Sequence, residues 1–262
     1  MTKLQALLFD VDGTLVDTEE LHRQAFNQAF IEMNLRWEWN HDRYAELLRI
    51  SGGLDRLAQF VEQLAVPADE KQRLRALVPA IHREKTRIYG ELLGGGSARL
   101  RPGVARLVDE ARAAGMKIGF ATTSATANVQ ALISATFPPA SRSAIGAVIG
   151  IDHVARRKPA PDVYELLMKT LRVPPEACVA FEDSANGLAA AKAAGLYTIV
   201  TPSRWTRGQR FVGADLLLPS LGDPGDKLDA VDAAHIGGAP FLALATIASL
   251  HAGAARSRAV GS

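Results

Sequence analysis

Six short apolar runs, separated by amphipathic stretches, constrain the fold more than any other feature of this sequence. They cover residues 4–9, 117–121, 145–149, 178–181, 198–200 and 215–218. Short apolar runs without polar alternation are typical of strands buried on both faces of a parallel sheet. Helical patterns lie between them, for example over residues 103–114, ending before Gly115, and 183–194, ending before Gly195. This alternation predicts an α/β fold with a doubly wound parallel sheet.

Residues 18–97 interrupt this alternation with a segment that contains only helical patterns. The predicted helices cover residues 19–33, 42–49, 54–64 and 69–93. The segment follows Gly13-Thr14 and ends in Gly94-Gly95-Gly96-Ser97. We interpret it as an all-helical domain inserted after the first strand, with the glycine run as a hinge. The alternative is that the glycine run is a disordered loop without associated motion.

These patterns divide the chain into three parts. Residues 1–17 and 98–221 are predicted to form the α/β core, and residues 18–97 the inserted helical domain. Residues 222–262 are rich in Ala, Gly and Asp and have no clean period. Within this tail we expect a small helix over 240–250 and disorder over 252–262, and we assign the tail no function.

Composition excludes several classes of protein. Of the 262 residues, 48% are hydrophobic and 22% are charged, which is ordinary for a soluble globular protein. A net charge of +2 with dispersed Lys and Arg gives no case for nucleic-acid binding. The single cysteine excludes an internal disulfide and fits a reducing compartment. With no signal peptide and no apolar run long enough to span a membrane, we expect a cytoplasmic protein, and we expect it to be a monomer.

The first apolar run is followed directly by Asp10-Val11-Asp12-Gly13-Thr14. Two carboxylates two residues apart, where a buried strand breaks into a glycine turn, suit phosphoryl transfer. Asp10 can attack phosphorus as a nucleophile, and Asp12 can carry a proton to the leaving group and later from water.

Three further strand ends carry groups that such a reaction needs. The second strand ends in Thr122-Thr123-Ser124, the third is followed by Lys158, and the fourth ends in Glu182-Asp183. In an open parallel sheet, ligands bind beyond the carboxyl ends of the strands, so these groups can meet around one phosphoryl group. Thr122, Thr123 and Lys158 are the predicted phosphate-binding residues.

An anionic nucleophile and an anionic phosphate repel each other, so the site requires a cation. Mg²⁺ prefers carboxylate, carbonyl and water oxygens. The predicted metal site consists of Asp10, Asp12, Glu182 and Asp183.

The four motifs, in this order, resemble the signature motifs of the haloacid dehalogenase (HAD) superfamily of phosphotransferases, and the helical insert resembles its type C1 cap. The resemblance covers about residues 1–221. Further segments are similar to the CbbY-type branch, which is related to β-phosphoglucomutases. They are 17–22, 37–39, 51–53, 81–85, 121–123 and 181–187.

The CbbY-type resemblance implies a specific activity. Characterised members of that branch are phosphatases that remove the 1-phosphate of xylulose 1,5-bisphosphate, an inhibitor of the Calvin-cycle enzyme Rubisco. The implied reaction is Mg²⁺-dependent hydrolysis that gives xylulose 5-phosphate and phosphate. The implied partner is a small phosphorylated sugar.

Residues of the inserted domain are candidates for substrate recognition. Glu19 and His22 are three positions apart and share a helix face, and the resemblance assigns such positions contacts to sugar hydroxyls and to the proton carrier. The second, non-transferred phosphate has basic candidates in Arg49 and Lys85. Relatives place a basic residue after the Gly-Gly of the cap loop. Here Leu54 follows Gly53, and Arg56 comes two residues later. The substrate-binding prediction therefore comprises Glu19, His22, Arg49, Gly53, Arg56 and Lys85.

Two alternatives remain open from the sequence. A phosphomutase would keep the phosphoryl group and return it to another hydroxyl. A non-enzymatic signalling module would also combine a phosphorylated Asp with Thr, Lys and acidic metal ligands. Such receiver domains lack the second Asp of the Asp10-x-Asp12 pair and a large cap insertion.

Overall fold

The computed structural model describes residues 3–96 and 98–260 and contains one parallel sheet. Its strands are β1 (Ala6–Phe9), β2 (Lys117–Ala121), β3 (Ile145–Ile149), β4 (Cys178–Glu182), β5 (Tyr197–Val200) and β6 (Leu216–Leu217). Every neighbouring pair runs parallel, in the order β3-β2-β1-β4-β5-β6. The predicted α/β fold with a doubly wound parallel sheet is confirmed. Each strand lies at one of the six apolar runs.

The helices of the described residues follow the predicted pattern closely. They are α1 (Glu19–Glu32), α2 (His41–Leu47), α3 (Gly53–Gln63), α4 (Ala68–Gly94), α5 (Val104–Ala113), α6 (Thr126–Thr136), α7 (Pro139–Ser143), α8 (Asp162–Leu171), α9 (Ala185–Ala193), α10 (Ala230–Ala234) and α11 (Leu244–Val260). Within the ranges that the structure describes, none of them has both the length and the apolar character to cross a bilayer.

Helices cover both faces of the sheet, which is why its strands are apolar throughout. Successive residues of β1 alternate between two buried clusters. Leu7 and Phe9 pack in the larger cluster with α5, whereas Ala6 and Leu8 pack in the smaller one with α8 and α9. Gly119 in β2 allows a close approach of α8, because an added Cβ would lie 2.7 Å from a methyl group of Leu167.

The strand order places a crevice beside β1. The chain runs from β1 through β2 to β3 on one side of the sheet and then crosses to β4 on the other side. Phe9 at the end of β1 is paired in register with Phe181 of β4. Ligands of open α/β sheets bind where the order reverses in this way. The residues that follow β1 and β4 therefore lie side by side.

The first four helices, α1 to α4, have an aromatic interior of their own. Trp39 and Tyr44 are fully buried, and the Trp39 ring packs against Phe26, Phe30 and Phe60. We infer that this interior lets α1 to α4 keep a common arrangement. The division of the chain into a core and a cap stays a prediction.

The two connections to this helical insert run next to each other. Val16 pairs with Leu100 in an antiparallel bridge, and the N–H of Arg101 donates to the carbonyl of Leu15 at 2.8 Å. The predicted hinge differs from a long glycine loop, because Gly94 is the last residue of α4. Gly96 follows with φ of 75°, which glycine adopts without strain. Ser97 lies outside the described residues.

The expectation of disorder over residues 252–262 is wrong as far as Val260, because α11 continues to that residue. Its sequence is rich in Ala, the strongest helix former, which favours a helix even without a clean apolar period. Ile247 and His251 of α11 are buried. The helix is anchored at its first residue, where the N–H of Leu244 donates to Glu110 Oε2 at 2.7 Å. Residues 261–262 lie outside the described residues.

Candidate active site

Three buried carboxylates meet where β1 and β4 end. Asp10 follows β1, Glu182 is the last residue of β4, and Asp183 comes next. One oxygen from each lies within 4.8 Å of the others. Their exposed fractions are 7%, 0% and 4%. The side chain of Ser184 then caps α9 by accepting from the N–H of Gly187, so the chain turns from strand into helix directly after the acidic pair.

Lys158 joins two of these carboxylates. Its Nζ donates to Asp10 Oδ1 and to Glu182 Oε1, each at 2.7 Å, and to the carbonyl of Ala121 at 2.9 Å. A lysine ammonium has three protons, and these partners use all of them. Lys158 therefore supplies one positive charge to a cluster of three acidic groups.

The excess of acidic groups shifts the pKa values of these side chains. Burial raises the pKa of Asp10 to about 7, the Lys158 cation opposes this rise, and the neighbouring Glu182 adds to it. Burial, together with the negative charges of Asp10 and Glu182, raises the pKa of Asp183 well above its usual range. Burial alone would lower the pKa of Lys158, but its two acidic partners outweigh that effect and raise it.

The cluster has the chemistry of a divalent-cation site. Asp10 Oδ2 and Glu182 Oε2 are buried and have no hydrogen-bond partner among the described residues. Buried acceptors without partners are rare in proteins, and an all-oxygen donor set suits a hard cation. Two glycines leave room for the carboxylates, because an added Cβ at Gly13 would overlap the Asp183 carboxylate and one at Gly187 would overlap that of Glu182. The residues present therefore fit a divalent cation such as Mg²⁺.

Asp12 lies outside this cluster. Its Oδ1 accepts from Thr18 Oγ1 at 2.5 Å and from His22 Nε2 at 3.1 Å, and its Oδ2 accepts from Ser124 Oγ at 2.5 Å. Burial would raise its pKa, but His22 and the hydrogen bonds from Ser124 and Thr18 outweigh burial and lower it. The Asp12 side chain is thus not part of the carboxylate cluster at the predicted metal site, because these three donors hold its two oxygens.

His22 connects Asp12 to the helical insert. Its Nδ1 lies 2.7 Å from Lys85 Nζ. A charged lysine can only donate, so Nδ1 accepts, and Nε2 must carry the proton that is donated to Asp12. Burial and the Lys85 charge lower the pKa of His22, which agrees with a neutral ring. The predicted contact between His22 and the proton carrier is therefore present.

The end of β2 contributes a polar edge. Thr122 is 1% exposed, and its hydroxyl accepts from the N–H of Ser124 at 3.0 Å. Thr123 and Ser124 line the cavity beside Asp10. The side chain of Thr122 thus fixes the local turn, and its predicted role in phosphate binding stays a prediction, as does that of Thr123.

Above Asp10 lies a cavity of about 150 Å³ between the helical insert and the sheet edge. Glu19, Gly53, Arg56 and Lys85 line it as predicted. Glu19 accepts from the hydroxyl of Tyr44 at 2.7 Å. Residues of the insert and of the strand ends thus face one space.

Arg49 is not brought to this cavity. It lies in a neighbouring groove, and its carbonyl accepts from Asn186 Nδ2 at 3.1 Å. The reason is local, because α2 ends at Leu47 and the chain then passes over the sheet edge beside α9. Its prediction as a substrate contact finds no support in this position.

Several residues of the site were not predicted from the sequence. Ser124 was placed only at a strand end, yet it binds Asp12. The hydroxyl of Tyr164 donates to Glu182 Oε1 at 2.5 Å, although nothing in the sequence distinguishes it from a core tyrosine of α8. Arg157 and His82 also line the cavity. The position of Arg157, directly before Lys158, was the available signal.

Comparisons with known proteins agree with this site. The profile of the haloacid dehalogenase-like hydrolase family matches residues 4–195. Protein CbbY of Rhodobacter capsulatus is 47% identical over 220 residues, which are 84% of this chain and 94% of that protein. A crystal structure of CbbY from Rhodobacter sphaeroides in complex with phosphate has a TM-score of 0.76 and 43% identity, over 85% of this chain and 98% of that one.

A second crystal structure of the R. sphaeroides protein contains an aspartate-to-asparagine mutant in complex with xylulose 1,5-bisphosphate. It has a TM-score of 0.77 and 44% identity, over 85% of this chain and 98% of that one. The matches cover nearly the whole length of these relatives. The chain therefore belongs to the haloacid dehalogenase-like hydrolase family, within its CbbY branch, and is an enzyme of the phosphatase class.

Proposed function

We propose that this enzyme is a Mg²⁺-dependent sugar-bisphosphate phosphatase that hydrolyses xylulose 1,5-bisphosphate to xylulose 5-phosphate and phosphate through an aspartyl-phosphate on Asp10. The observation that carries the proposal is the buried cluster of Asp10, Glu182 and Asp183, held by Lys158 at the bottom of a cavity that the helical insert covers.

Asp10 is the proposed nucleophile. It follows the central strand β1, faces the cavity, and has one oxygen without a partner among the described residues. Asp10, Asp183 and Glu182 would hold Mg²⁺, which when bound supplies positive charge that offsets the repulsion between the nucleophile and the phosphate. Lys158 fixes the Asp10 carboxylate by its hydrogen bond to Oδ1.

Asp12 is the proposed proton carrier. It protonates the leaving alkoxide and then removes a proton from the water that hydrolyses the aspartyl-phosphate. The donors on Asp12 hold it ionised in this structure, so it must gain a proton before the first step. Thr18, Ser124 and His22 orient its carboxylate.

The proposed substrate follows from the size of the similarity. At 44% identity over nearly the whole relative, the complex with xylulose 1,5-bisphosphate makes this sugar the first candidate. We propose that residues 18–97 close over the sugar as a cap and exclude bulk water from the reaction. Glu19, whose carboxylate faces the cavity, is the proposed contact for sugar hydroxyls.

A Mg²⁺-dependent phosphate-release screen over sugar mono- and bisphosphates tests this assignment. We expect xylulose 1,5-bisphosphate to give the highest kcat/KM and to release one equivalent of phosphate, and EDTA to abolish release. A clear preference for monophosphates would refute the substrate and leave the mechanism intact.

Replacing Asp10 by Asn tests the mechanism itself. Loss of a covalent nucleophile lowers kcat by roughly 10⁴-fold or more. Full activity of Asp10→Asn with Mg²⁺ present would refute the proposed nucleophile. A phosphomutase would need a phosphorylated priming compound and would yield an isomeric sugar phosphate, so a burst of inorganic phosphate without priming separates the two reactions.

A further inference from the structure

The cavity above Asp10 is lined by more basic side chains than the proposed reaction uses. Among the described residues that line it, the permanently or ordinarily cationic side chains are Arg56, Lys85, Arg157 and Lys158. Lys158 donates all its protons to the carboxylate cluster and to Ala121. It therefore acts at the end of the cavity where the transferred phosphate would bind, and it has no proton left for a second phosphate.

Two of the other cations are committed to the interior of the helical insert. Arg56 is 7% exposed and donates to the carbonyls of Leu47 and Ile50 and to the hydroxyl of Tyr44. Lys85 is 5% exposed, bonds to His22, and lies 5.1 Å from the centre of the Phe26 ring. Neither side chain can turn toward a phosphate without leaving buried acceptors unpaired.

Arg157 is different. Its Nη1 donates to Asp55 Oδ2 at 2.6 Å, and its guanidinium makes no other hydrogen bond within the part of the chain that the structure describes. The Arg157 side chain is 26% exposed and that of Asp55 is 56% exposed. Ion pairs this exposed to water are weak, so a phosphate dianion can replace Asp55 at low cost.

The surroundings of Arg157 suit an anion. Gly52 has φ of 84°, which glycine adopts without strain, and an added Cβ there would lie 2.5 Å from Arg157 Nη1, so the cap loop lies close to the guanidinium. Gly52 is also the N-cap of α3, whose first backbone N–H groups begin at Gly53 and line the same cavity. Helix N-termini favour negative charge.

We propose that Arg157 binds the non-transferred phosphate of the sugar bisphosphate, that it exchanges Asp55 for this phosphate, and that it thereby determines selectivity for bisphosphates over monophosphates. Arg157 directly precedes Lys158. One short segment therefore carries both the lysine that binds Asp10 and the arginine that would bind the distal phosphate. The backbone between them then fixes how far apart the two phosphates of a good substrate lie. This inference rests on the proposed function.

Selectivity between two substrates tests the proposal. The measurement is kcat/KM for xylulose 1,5-bisphosphate divided by kcat/KM for xylulose 1-phosphate, which lacks the distal phosphate. In Arg157→Gln we expect this ratio to fall by about 10- to 100-fold, as is typical for the loss of a hydrogen bond to a charged group. Arg157→Lys keeps the charge without the planar fork and should recover part of the ratio.

Matched variants make the result specific. Arg156→Gln removes the same charge from the neighbouring residue, whose side chain is 70% exposed and paired with Asp162, and should leave the ratio unchanged. Arg49→Gln removes the arginine of the adjacent groove. A larger fall in the ratio for Arg49→Gln than for Arg157→Gln, or an equal loss on both substrates in Arg157→Gln, would overturn the proposal.

A binding measurement separates this proposal from the proposed function. In an Asp10→Asn background with Mg²⁺, calorimetry gives the Kd of xylulose 1,5-bisphosphate with and without Arg157→Gln. A Kd that rises by about 10-fold or more supports the role of Arg157. An unchanged Kd refutes that role while the proposed substrate stands. No binding of the bisphosphate to Asp10→Asn alone refutes the proposed substrate first.

Discussion

Asp10 and Asp12 are two residues apart, yet the pKa values of their carboxyl groups are shifted in opposite directions. Burial beside like charges raises the pKa of Asp10 to about 7, whereas His22, Ser124 and Thr18 lower that of Asp12. A nucleophile should be ionised and a general acid protonated, so the protein alone sets the two groups in the reverse order.

Lys85 provides a test of buried charge at the same scale. Burial lowers its pKa from 10.5 to about 8. Between pH 8 and the usual lysine pKa the unfolded chain binds more protons than the folded one, so this group makes the free energy of unfolding rise with pH. We expect Lys85→Met to reduce that rise by about 2 kcal/mol between pH 8 and pH 10, measured by urea denaturation.

The exposed Lys169 is the control for this change. Lys169→Met should keep the wild-type slope of unfolding free energy against pH. Parallel slopes for wild type and Lys85→Met would show that Lys85 is not the group responsible.

At the scale of elements, the junction of β4 and α9 positions Glu182 and Asp183, two of the proposed metal ligands. β4 ends with Glu182, Asp183 follows, and Ser184 caps α9. The first turn of this helix passes very close to Glu182. At position 187 only glycine fits without displacing the Glu182 carboxylate. The helix start therefore constrains the site as directly as the ligands do.

We expect Gly187→Ala to push the Glu182 carboxylate away from Lys158. The Mg²⁺ concentration for half-maximal activity should rise by about 10-fold, and overpacking should lower the free energy of unfolding by about 1–3 kcal/mol. Magnesium titrations of activity and urea denaturation measure the two effects.

A second glycine serves as the matched control for this substitution. Gly90 is exposed in the interior of α4, and an added Cβ meets nothing within 4 Å. Gly90→Ala should stabilise the fold by about 0.5–1 kcal/mol and leave the magnesium dependence unchanged. If Gly187→Ala behaved like Gly90→Ala, the close packing of α9 on Glu182 would be disproved.

At the scale of the whole molecule, the segment after residue 221 is part of the folded core. Arg106 of α5 donates to the carbonyls of Gly222 and Leu242 and pairs with Asp223. Leu242 and Ile247 are fully buried in the larger apolar cluster. The family profile ends at residue 195, so this segment lies outside the region that the profile matches.

Truncation after residue 221 should lower the free energy of unfolding by about 5 kcal/mol or more, because several large apolar side chains become exposed. Leu242→Ala should cost about 2–5 kcal/mol and report the same contact in the full chain. Thermal unfolding of both variants measures the effect. The cavity lining does not include any described residue beyond 221, so kcat/KM of the folded fraction should stay within about twofold of wild type. An unchanged Tm in both variants would contradict the structural role of this segment.

The ends of strands were predictable from sequence because parallel strands bring their carboxyl ends to one edge. Asp10, Lys158 and Asp183 meet there for that reason. The partners of long side chains were not predictable, since they depend on packing between distant segments. Arg56 has the charge of a phosphate ligand, but its guanidinium donates to the carbonyls of Leu47 and Ile50. Arg157 also lines the cavity and makes no such bonds to carbonyls of the described residues. The continuation of α11 beyond residue 251 was missed because an Ala-rich helix needs no apolar period.

The central position of β1 has a consequence for biosynthesis. β1 is the first strand to leave the ribosome, yet it pairs with β2 and β4, which are made much later. At about 5–20 residues per second, Asp183 is added roughly ten to thirty seconds after Asp10. A nascent chain therefore exposes Asp10, the proposed nucleophile, long before the proposed metal ligands Glu182 and Asp183 are made. Catalytic competence appears only late in translation, and no amino-terminal fragment that lacks β4 can acquire it.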